Sequence, residues 1–320
     1  MEPIKVAETM TPEWFAARST SIGASEIAAA AGVSPYQTPL ELYHRKRGEL
    51  PPIEDNDPMR MGRLLEPVVK SEFCRVTGLT LSDPNPAMYR HGKYDFLMAT
   101  PDGIIDDQRL LEAKTASWRM KDSWGAEGSD DTPVQYVCQC AQQMAVMNAS
   151  EDYLAVLFDG AELKNYKVLR NEELIQILIS AAQELWERIK DGRPPEPNWE
   201  HSSTPRLIKE IHTSIEDARI ELTESECELW SQYERAGELI KRLNAKRESC
   251  KAMILHAIGD NFAGILNDGR MIRRKEIAGS TYTVNKNSYI DVRACKCDSG
   301  RIIERNKTLV TDGPIRAEVE

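Results

Sequence analysis

Apolar and polar positions follow two different periods along the first 190 residues of the chain. Segments whose apolar residues recur three and four positions apart, as in a helix, are separated by short runs of β-branched and apolar residues, as in strands. Sequences that switch repeatedly between these two periods form layers of helices and strands around one core. The pattern therefore predicts an α/β or α+β layered domain.

The helical period predicts five helices, over residues 25–31, 39–48, 59–77, 133–147 and 172–189. The short apolar runs predict four strands, over residues 96–105, 109–116, 153–158 and 164–169. We expect the first two strands to pair through a tight turn at residues 106–108.

The chain is predicted to divide into a core, residues 1–195, and an extension, residues 196–320. Three prolines among four residues at 194–197 cannot continue a helix and mark the linker. Beyond it, Thr223 and Glu226 form a capping box that opens a long helix to about residue 258. We expect this helix to pack onto its own core. An Asn-Asp-Gly turn at 267–269 precedes a strand-like stretch at 281–284.

Charge argues against binding of nucleic acid by the whole surface. The chain has 41 Lys and Arg against 51 Asp and Glu, a net charge of −10, and residues 1–200 alone carry −11. Such a protein contacts a polyanion only through a local basic surface or a metal site. The seven cysteines and five histidines lack the spacings of zinc or iron–sulfur sites. Without a membrane-spanning run or a signal-peptide pattern, we expect a cytoplasmic protein and no membrane partner.

The densest group of candidate catalytic residues begins at Asp102, which is followed ten positions later by Glu112-Ala113-Lys114. Alternate residues of a strand share a face, so Glu112 and Lys114 point the same way, and Asp102 reaches them if the two strands form a hairpin. Two carboxylates and the Ala113 carbonyl make an all-oxygen site suited to Mg²⁺. Lys114 is then the group that orients or deprotonates a water. The alternative is a surface hairpin with an ordinary ion pair.

Three weaker signals accompany this motif. Glu66, in an otherwise apolar helix, reaches the same metal or is simply solvated. Arg18 precedes a loop of small residues ending at Ser25, which is either an anion site or a plain helix cap with a surface arginine. Gln139 belongs to a glutamine face that contacts phosphate or is the polar outer face of its helix. That face contains Gln135, Gln139 and Gln142.

The order of these residues resembles that of the phage lambda exonuclease and YqaJ-type viral recombinase nucleases, a branch of the PD-(D/E)xK superfamily. The resemblance covers about residues 13–190 and implies a restriction-endonuclease-like core, a central mixed sheet flanked by helices. It implies that Asp102, Glu112 and the Ala113 carbonyl bind the metal, with Lys114 as general base or water-orienting group and Glu66 as accessory acid. A pocket for the terminal 5′-phosphate is implied at three residues, Arg18, Ser25 and Gln139.

The resemblance further implies a bacterial or phage-encoded, Mg²⁺-dependent enzyme in which Mn²⁺ substitutes. Its implied activity is processive 5′→3′ digestion of one strand of duplex DNA, which releases mononucleotides and leaves a 3′ single strand. A ring-shaped homotrimer and a single-strand annealing protein are the implied partners in recombination. No Lys or Arg occurs between Glu26 and Tyr36, so the basic residues of a DNA path are either absent from this region or supplied nearby by Arg45, Lys46 and Arg47.

Two other functions remain open on the sequence alone. The first is an endonuclease of restriction or repair type on the same fold. The second is a protein without catalysis, whose long C-terminal helix mediates assembly and whose carboxylates are structural.

Overall fold

A computed structural model describes residues 2–277 of the chain. The chain divides into two compact units, Met1–Thr213 and Ser214–Glu320. The predicted boundary after residue 195 stays a prediction, and the predicted strand at 281–284 lies outside the described residues.

Two four-stranded sheets form the first unit, and both mix parallel and antiparallel pairs. The first has the order β1-β3-β4-β2, with strands Ile4–Ala7, Met88–Arg90, Leu97–Ala99 and Ile22–Gly23. The second has the order β5-β6-β7-β8, with strands Gly103–Asp106, Arg109–Ala116, Glu151–Phe158 and Glu162–Leu169. In the second sheet, β6 and β7 are parallel over eight residue pairs, and the outer pairs are antiparallel.

Seven α-helices accompany these sheets in the described part of the first unit. In chain order, α1 to α7 are Pro12–Ser19, Ile27–Ala30, Pro39–Lys46, Asp57–Thr77, Val134–Met147, Glu172–Asp191 and Thr204–Ile211. One 3₁₀ turn, Ala24–Glu26, precedes α2, and another, Trp118–Ser123, follows β6.

Helices α4 and α5 cover opposite faces of the second sheet because its buried residues alternate. Leu110 packs with Met144 of α5, in the same cluster as Leu154 and Val156 of β7. The neighbouring Leu111 instead packs with Phe73 of α4. This alternation is the two-residue period of a sheet buried on both faces. The predicted fold class, mixed strands flanked by helices, is confirmed.

Most predicted elements of the first unit are confirmed, and the strand 109–116 has the predicted bounds. The single strand predicted at 96–105 is wrong. It is two strands in different sheets, β4 and β5, separated by Thr100, Pro101 and Asp102. Pro101 has no N–H for a ladder, and Asp102 turns its side chain toward the backbone of β6. The break between β4 and β5 therefore lies beside the predicted catalytic residues.

The described part of the second unit is a long helix and a hairpin. Helix α8, Glu224–Ile258, begins at the predicted capping box, in which the Glu226 side chain accepts from the Thr223 N–H. Strands β9, Ala263–Ile265, and β10, Met271–Arg273, pair antiparallel across the predicted turn. The expectation that α8 packs onto its own core stays a prediction. Among the described residues, Tyr233, Ile240 and Leu243 of its apolar stripe are exposed. Across residues 2–277, no helix is both long and apolar enough to cross a membrane.

One buried amide joins α5 to the first sheet. The Gln142 Nε2 donates to the Ile22 carbonyl of β2 at 2.9 Å and to the Met98 carbonyl of β4 at 2.8 Å. We expect Gln142→Ala to lower the free energy of unfolding by about 2 kcal/mol, because two buried carbonyls lose their donor.

Urea unfolding measures this loss. Gln176→Ala, at an exposed position of α6, is the control and should change stability by less than about 0.5 kcal/mol. Equal losses in the two variants would contradict the role of Gln142.

Candidate active site

Asp102 immediately precedes β5, opposite the part of β6 that extends beyond its pairing with β5. Its N–H donates to the Leu111 carbonyl at 3.0 Å, and its Oδ2 accepts from the Ala113 N–H at 2.8 Å. The carboxylate thus replaces the missing strand as a partner of β6. The N–H and C=O of one strand residue point to the same side, so the Ala113 carbonyl also faces the edge that β5 has vacated.

Glu112 is 2% exposed and is held by three donors. Its Oε1 accepts from Gln139 Nε2 at 2.6 Å and from the Lys114 ammonium, and its Oε2 accepts from Gln143 Nε2 at 2.6 Å. Both amides come from successive turns of α5, four residues apart. A buried carboxylate is tolerated only with such partners, so α5 fixes both the position and the orientation of Glu112.

Lys114 faces two carboxylates and an aromatic ring. Burial opposes its charged form, but Glu112 and Asp102 outweigh that effect and raise the pKa of Lys114 above its ordinary value. Its ammonium lies 5.5 Å from the centroid of the Tyr136 ring. Burial and the neighbouring Tyr36 raise the pKa of Tyr136 to about 12. Lys114 is therefore a cation, and Tyr136 a neutral phenol, at neutral pH.

Negative charge is crowded at Asp102. Burial and then the Glu112 charge raise the pKa of this carboxyl well above its usual range, with a smaller contribution from Glu66. Glu66 lies on α4 and forms an ion pair with Lys70, one helical turn later, at 2.6 Å. Glu66 is thus close enough to Asp102 to affect its pKa and has a lysine partner that was not predicted, and its role as an accessory acid stays a prediction.

The donor set of this centre suits a hard cation. Within residues 2–277, no group of three or more His, Cys, Asp or Glu side chains is arranged to hold a metal ion. Asp102 and Glu112 form a set of two carboxylates, with the Ala113 carbonyl as a further oxygen. Magnesium commonly binds through one or two carboxylates and keeps several waters. Burial and the neighbouring Glu112 charge raise the pKa of Asp102, and a bound cation would offset both effects, so these residues fit a hard divalent cation.

The second predicted site forms around Arg18. Its guanidinium donates to the Ser25 Oγ at 3.3 Å and lies over the Trp14 ring, 5.1 Å from the centroid. The buried Lys46 ammonium donates to the Arg18 carbonyl at 2.7 Å and pairs with Glu26. An open pocket at this place is lined by Phe15, Arg18, Ser19, Glu26, Arg45 and Lys46. Arg18 and Ser25 are thus brought together, whereas Gln139 bonds to Glu112.

The basic residues predicted to line a DNA path form ion pairs and hydrogen bonds within the protein. Arg45 pairs with Glu41 at 2.7 Å, and Arg47 pairs with Glu49 at 2.5 Å and donates to the Ile189 carbonyl. Lys46 is the buried partner of Glu26. These contacts join α3 to its neighbours. The assignment of the run to a DNA path stays a prediction.

Sequence reasoning missed two residues close to Glu112. Gln143 was left out of the glutamine face, although its spacing of four from Gln139 places both on one side of α5. Asp152 of β7 is fully buried, and burial and then the Glu112 charge raise its pKa well above the usual range. Its contact with the Cys140 thiol joins residues 12 positions apart, and no local pattern indicates it.

Comparison with known proteins supports the family indicated by the motif order. Residues 13–150 match the model of the YqaJ-like viral recombinase domain, which confirms that resemblance. The uncharacterized protein YqaJ of Bacillus subtilis is 27% identical over 269 residues, which cover 82% of this chain and 83% of that protein.

Two solved structures are also similar to this chain. The alkaline exonuclease LHK-Exo of Laribacter hongkongensis is 21% identical, with a TM-score of 0.47, over 57% of this chain and 94% of that one. A phage-related exonuclease from Haemophilus somnus is 13% identical, with a TM-score of 0.40, over 54% of this chain and 96% of that one.

The raised pKa of Asp102 predicts how stability depends on pH. Without metal, the folded protein keeps a proton on Asp102 that the unfolded chain releases near pH 4, so this contribution to stability falls as pH rises toward the folded pKa. An asparagine at this position has no charge to bury. We therefore expect the free energy of unfolding of Asp102→Asn, relative to the wild type, to increase from pH 4 to pH 8 in urea titrations with EDTA.

Asp106→Asn, on the same hairpin, is the control with the opposite sign. The hydrogen bond from Arg109 holds the pKa of Asp106 below its usual range, so its contribution is present at neutral pH and is lost on acidification. This variant should be less stable than the wild type at pH 7 and should match it at low pH. Parallel pH profiles for the two variants would contradict the charge crowding at Asp102.

Proposed function

We propose that this chain is a metal-dependent DNA exonuclease that digests one strand of a duplex in the 5′→3′ direction. The observation that carries the proposal is the buried centre in which Lys114 and two α5 amides hold Glu112 beside Asp102. This centre lies within the residues that match the YqaJ-like viral recombinase domain. The proposed products are 5′-mononucleotides and a 3′ single strand for annealing.

Asp102, Glu112 and the Ala113 carbonyl would hold Mg²⁺, for which Mn²⁺ substitutes. When bound, the cation supplies electrophilic stabilisation of a phosphate and lowers the pKa of a water. Gln139 and Gln143 hold the Glu112 carboxylate in one position and orientation before the cation binds.

Lys114 and Glu66 act on the groups around the metal. The Lys114 ammonium orients the attacking water and stabilises the charge that develops on the phosphate, since it is a cation within the low-dielectric centre. Glu66, on α4 and paired with Lys70, serves as an accessory acidic residue whose carboxylate accepts a proton from the water.

Arg18 and Ser25 are proposed to bind the terminal 5′-phosphate. Arg18 offers donors in a planar fork, and the Trp14 ring beneath it limits its rotation. Gln139 uses one amide N–H for Glu112, and its second N–H is the donor available to a phosphate. Gln139 would thus connect the metal centre with the bound end of the strand.

We further propose a cytoplasmic homotrimeric ring that encloses DNA and works with a single-strand annealing protein. The net charge of −10 gives weak electrostatic attraction to a polyanion. A ring holds its substrate by topology, so it suits a chain of this charge. The exposed stripe of α8, which includes Tyr233, Ile240 and Leu243, is a surface available for assembly.

Linear duplex DNA labelled at either the 5′ or the 3′ terminus tests the reaction. With Mg²⁺, we expect loss of the 5′ label as mononucleotide before any shortening from the 3′ end, and no product in EDTA. A covalently closed circle should stay intact because it offers no end. Cleavage of the circle would establish an endonuclease, and absence of Mg²⁺-dependent turnover on every substrate would favour a non-enzymatic protein.

In the same assay, Lys114→Ala should lower the rate at least about 100-fold, the scale of a positioned proton-transfer or charge-stabilising group. DNA binding should stay close to that of the wild type, and circular dichroism should show a folded protein, since Gln139 and Gln143 still hold Glu112. Lys190→Ala, on the exposed face of α6, is the control. Wild-type rates in Lys114→Ala would overturn the mechanism.

A comparison of duplexes with 5′-phosphate and 5′-hydroxyl ends tests the second site. The wild type should digest the phosphorylated end about 10-fold faster, because a charge-assisted contact to Arg18 contributes about 1.5 kcal/mol. Arg18→Ala should lose this preference, whereas Arg193→Ala, a surface arginine paired with Asp191, should keep it. Equal rates on both ends in the wild type would remove the assignment of Arg18 and Ser25.

A further inference from the structure

Trp118 presents an aromatic ring to solvent four residues beyond Lys114. Strand β6 ends at Ala116, and the 3₁₀ turn that follows begins with Trp118, which is 50% exposed. A strand rises about 3.3 Å per residue, so Trp118 lies within about 13 Å of Lys114 along the chain. One DNA strand rises about 3.4 Å per nucleotide. The ring is therefore within about four nucleotides of a phosphate at Lys114.

Lys121 covers one face of this ring. Its ammonium lies 3.6 Å from the Trp118 ring centroid and bonds to both carboxylate oxygens of Glu162, at 2.9 and 3.2 Å. Glu162 begins β8, so the cation is attached to the sheet. The exposed area of Trp118 therefore belongs to its opposite face and its edges.

The segment that carries Trp118 is anchored at both ends. The Ser117 Oγ accepts from the Arg119 N–H at 3.4 Å and caps the turn. At its far end, Trp124 is buried and packs on Tyr136, with ring centroids 5.4 Å apart. Two tryptophans six residues apart thus have opposite environments. The exposure of Trp118 is a property of an ordered turn rather than of a loose loop.

We propose that Trp118 is a stacking platform for an unpaired base of the DNA strand near the reacting phosphate, an inference that rests on the proposed function. Every base has a π-face, so an aromatic ring binds single-stranded DNA with little dependence on sequence. Arg119 follows on the same exposed turn and, among the described residues, makes no ion pair. It supplies a cation for the adjoining phosphates.

The surroundings of the ring favour DNA over a second protein surface. Trp118 is flanked by Arg119 and by Lys121, and cations next to an aromatic ring suit stacked bases and phosphates. The core of a protein interface is instead depleted in charged residues. The platform thus supplies a base-binding group to a protein whose net charge of −10 gives little general attraction for DNA.

Binding of the full chain to a fluorescein-labelled duplex with a single-stranded tail tests the proposal in EDTA, where no hydrolysis occurs. We expect Trp118→Ala to weaken binding about 10-fold and Trp118→Phe less than about threefold, because phenylalanine keeps a stacking ring. Trp199→Ala, at a tryptophan that is 63% exposed, is the matched control and should bind as the wild type does. Thermal unfolding of each variant establishes that it is folded.

Probes with one abasic position, moved nucleotide by nucleotide along both strands, identify the stacked base. In the wild type, one position or two adjacent positions should weaken binding, and in Trp118→Ala the same abasic probes should cause no further loss. Wild-type affinity in Trp118→Ala, or an abasic effect that persists in that variant, would overturn the proposal. So would a lower oligomeric mass in light scattering with DNA binding unchanged, since Trp118 would then be a protein contact.

These outcomes are separable from those of the proposed function. Absence of Mg²⁺-dependent hydrolysis in the wild type rejects the nuclease, whatever Trp118 does. Normal wild-type hydrolysis together with wild-type binding by Trp118→Ala rejects only the platform.

Discussion

The structure of the first unit depends on one buried carboxylate. Glu112 is almost entirely removed from water, and an ionised carboxylate in such a place costs several kcal/mol unless donors replace its hydration. Lys114 on the same strand cannot do this alone, because both Glu112 oxygens need partners. The remaining donors, Gln139 and Gln143, come from α5. The second sheet and α5 are therefore held together by hydrogen bonds to a buried carboxylate as well as by apolar packing.

Helix α5 transmits this constraint to the rest of the unit. Gln142, next to Gln143 in the chain, bonds to two carbonyls of the first sheet, while Cys140 and Met144 pack against the second. Three glutamines of α5, Gln139, Gln142 and Gln143, thus connect this helix to both sheets. The same arrangement directs Asp102, at the break between the two sheets, toward Ala113. The site is assembled where the chain passes from the first sheet to the second, so its geometry depends on the packing of both.

The parts of this arrangement that follow from local chemistry could be predicted, and those that depend on distant pairing could not. The strand 109–116 and its hairpin were recovered because periodicity and turn residues lie within a few positions of each other. The break at Pro101 was missed because apolar residues on both sides read as one run, although proline itself was the signal. The contacts of Glu112 with α5 cross 27 and 31 positions. A glutamine face on a helix does not reveal whether it meets solvent or a buried acid.

The basic run Arg45, Lys46 and Arg47 shows why a charge pattern alone is a weak guide to binding. All three cations have carboxylate partners within the protein, and a paired arginine offers less to a phosphate than a free one, since the ion pair must first be broken. Cations with acceptors that leave donors available, such as Arg18 on Ser25, are better placed to bind DNA. In the proposed function, DNA recognition by this acidic protein depends on a few positioned groups: a guanidinium for the strand end, a cation site for the reacting phosphate, and an aromatic ring for a base. Each of these acts over one nucleotide, so their combined affinity is set by geometry rather than by net charge.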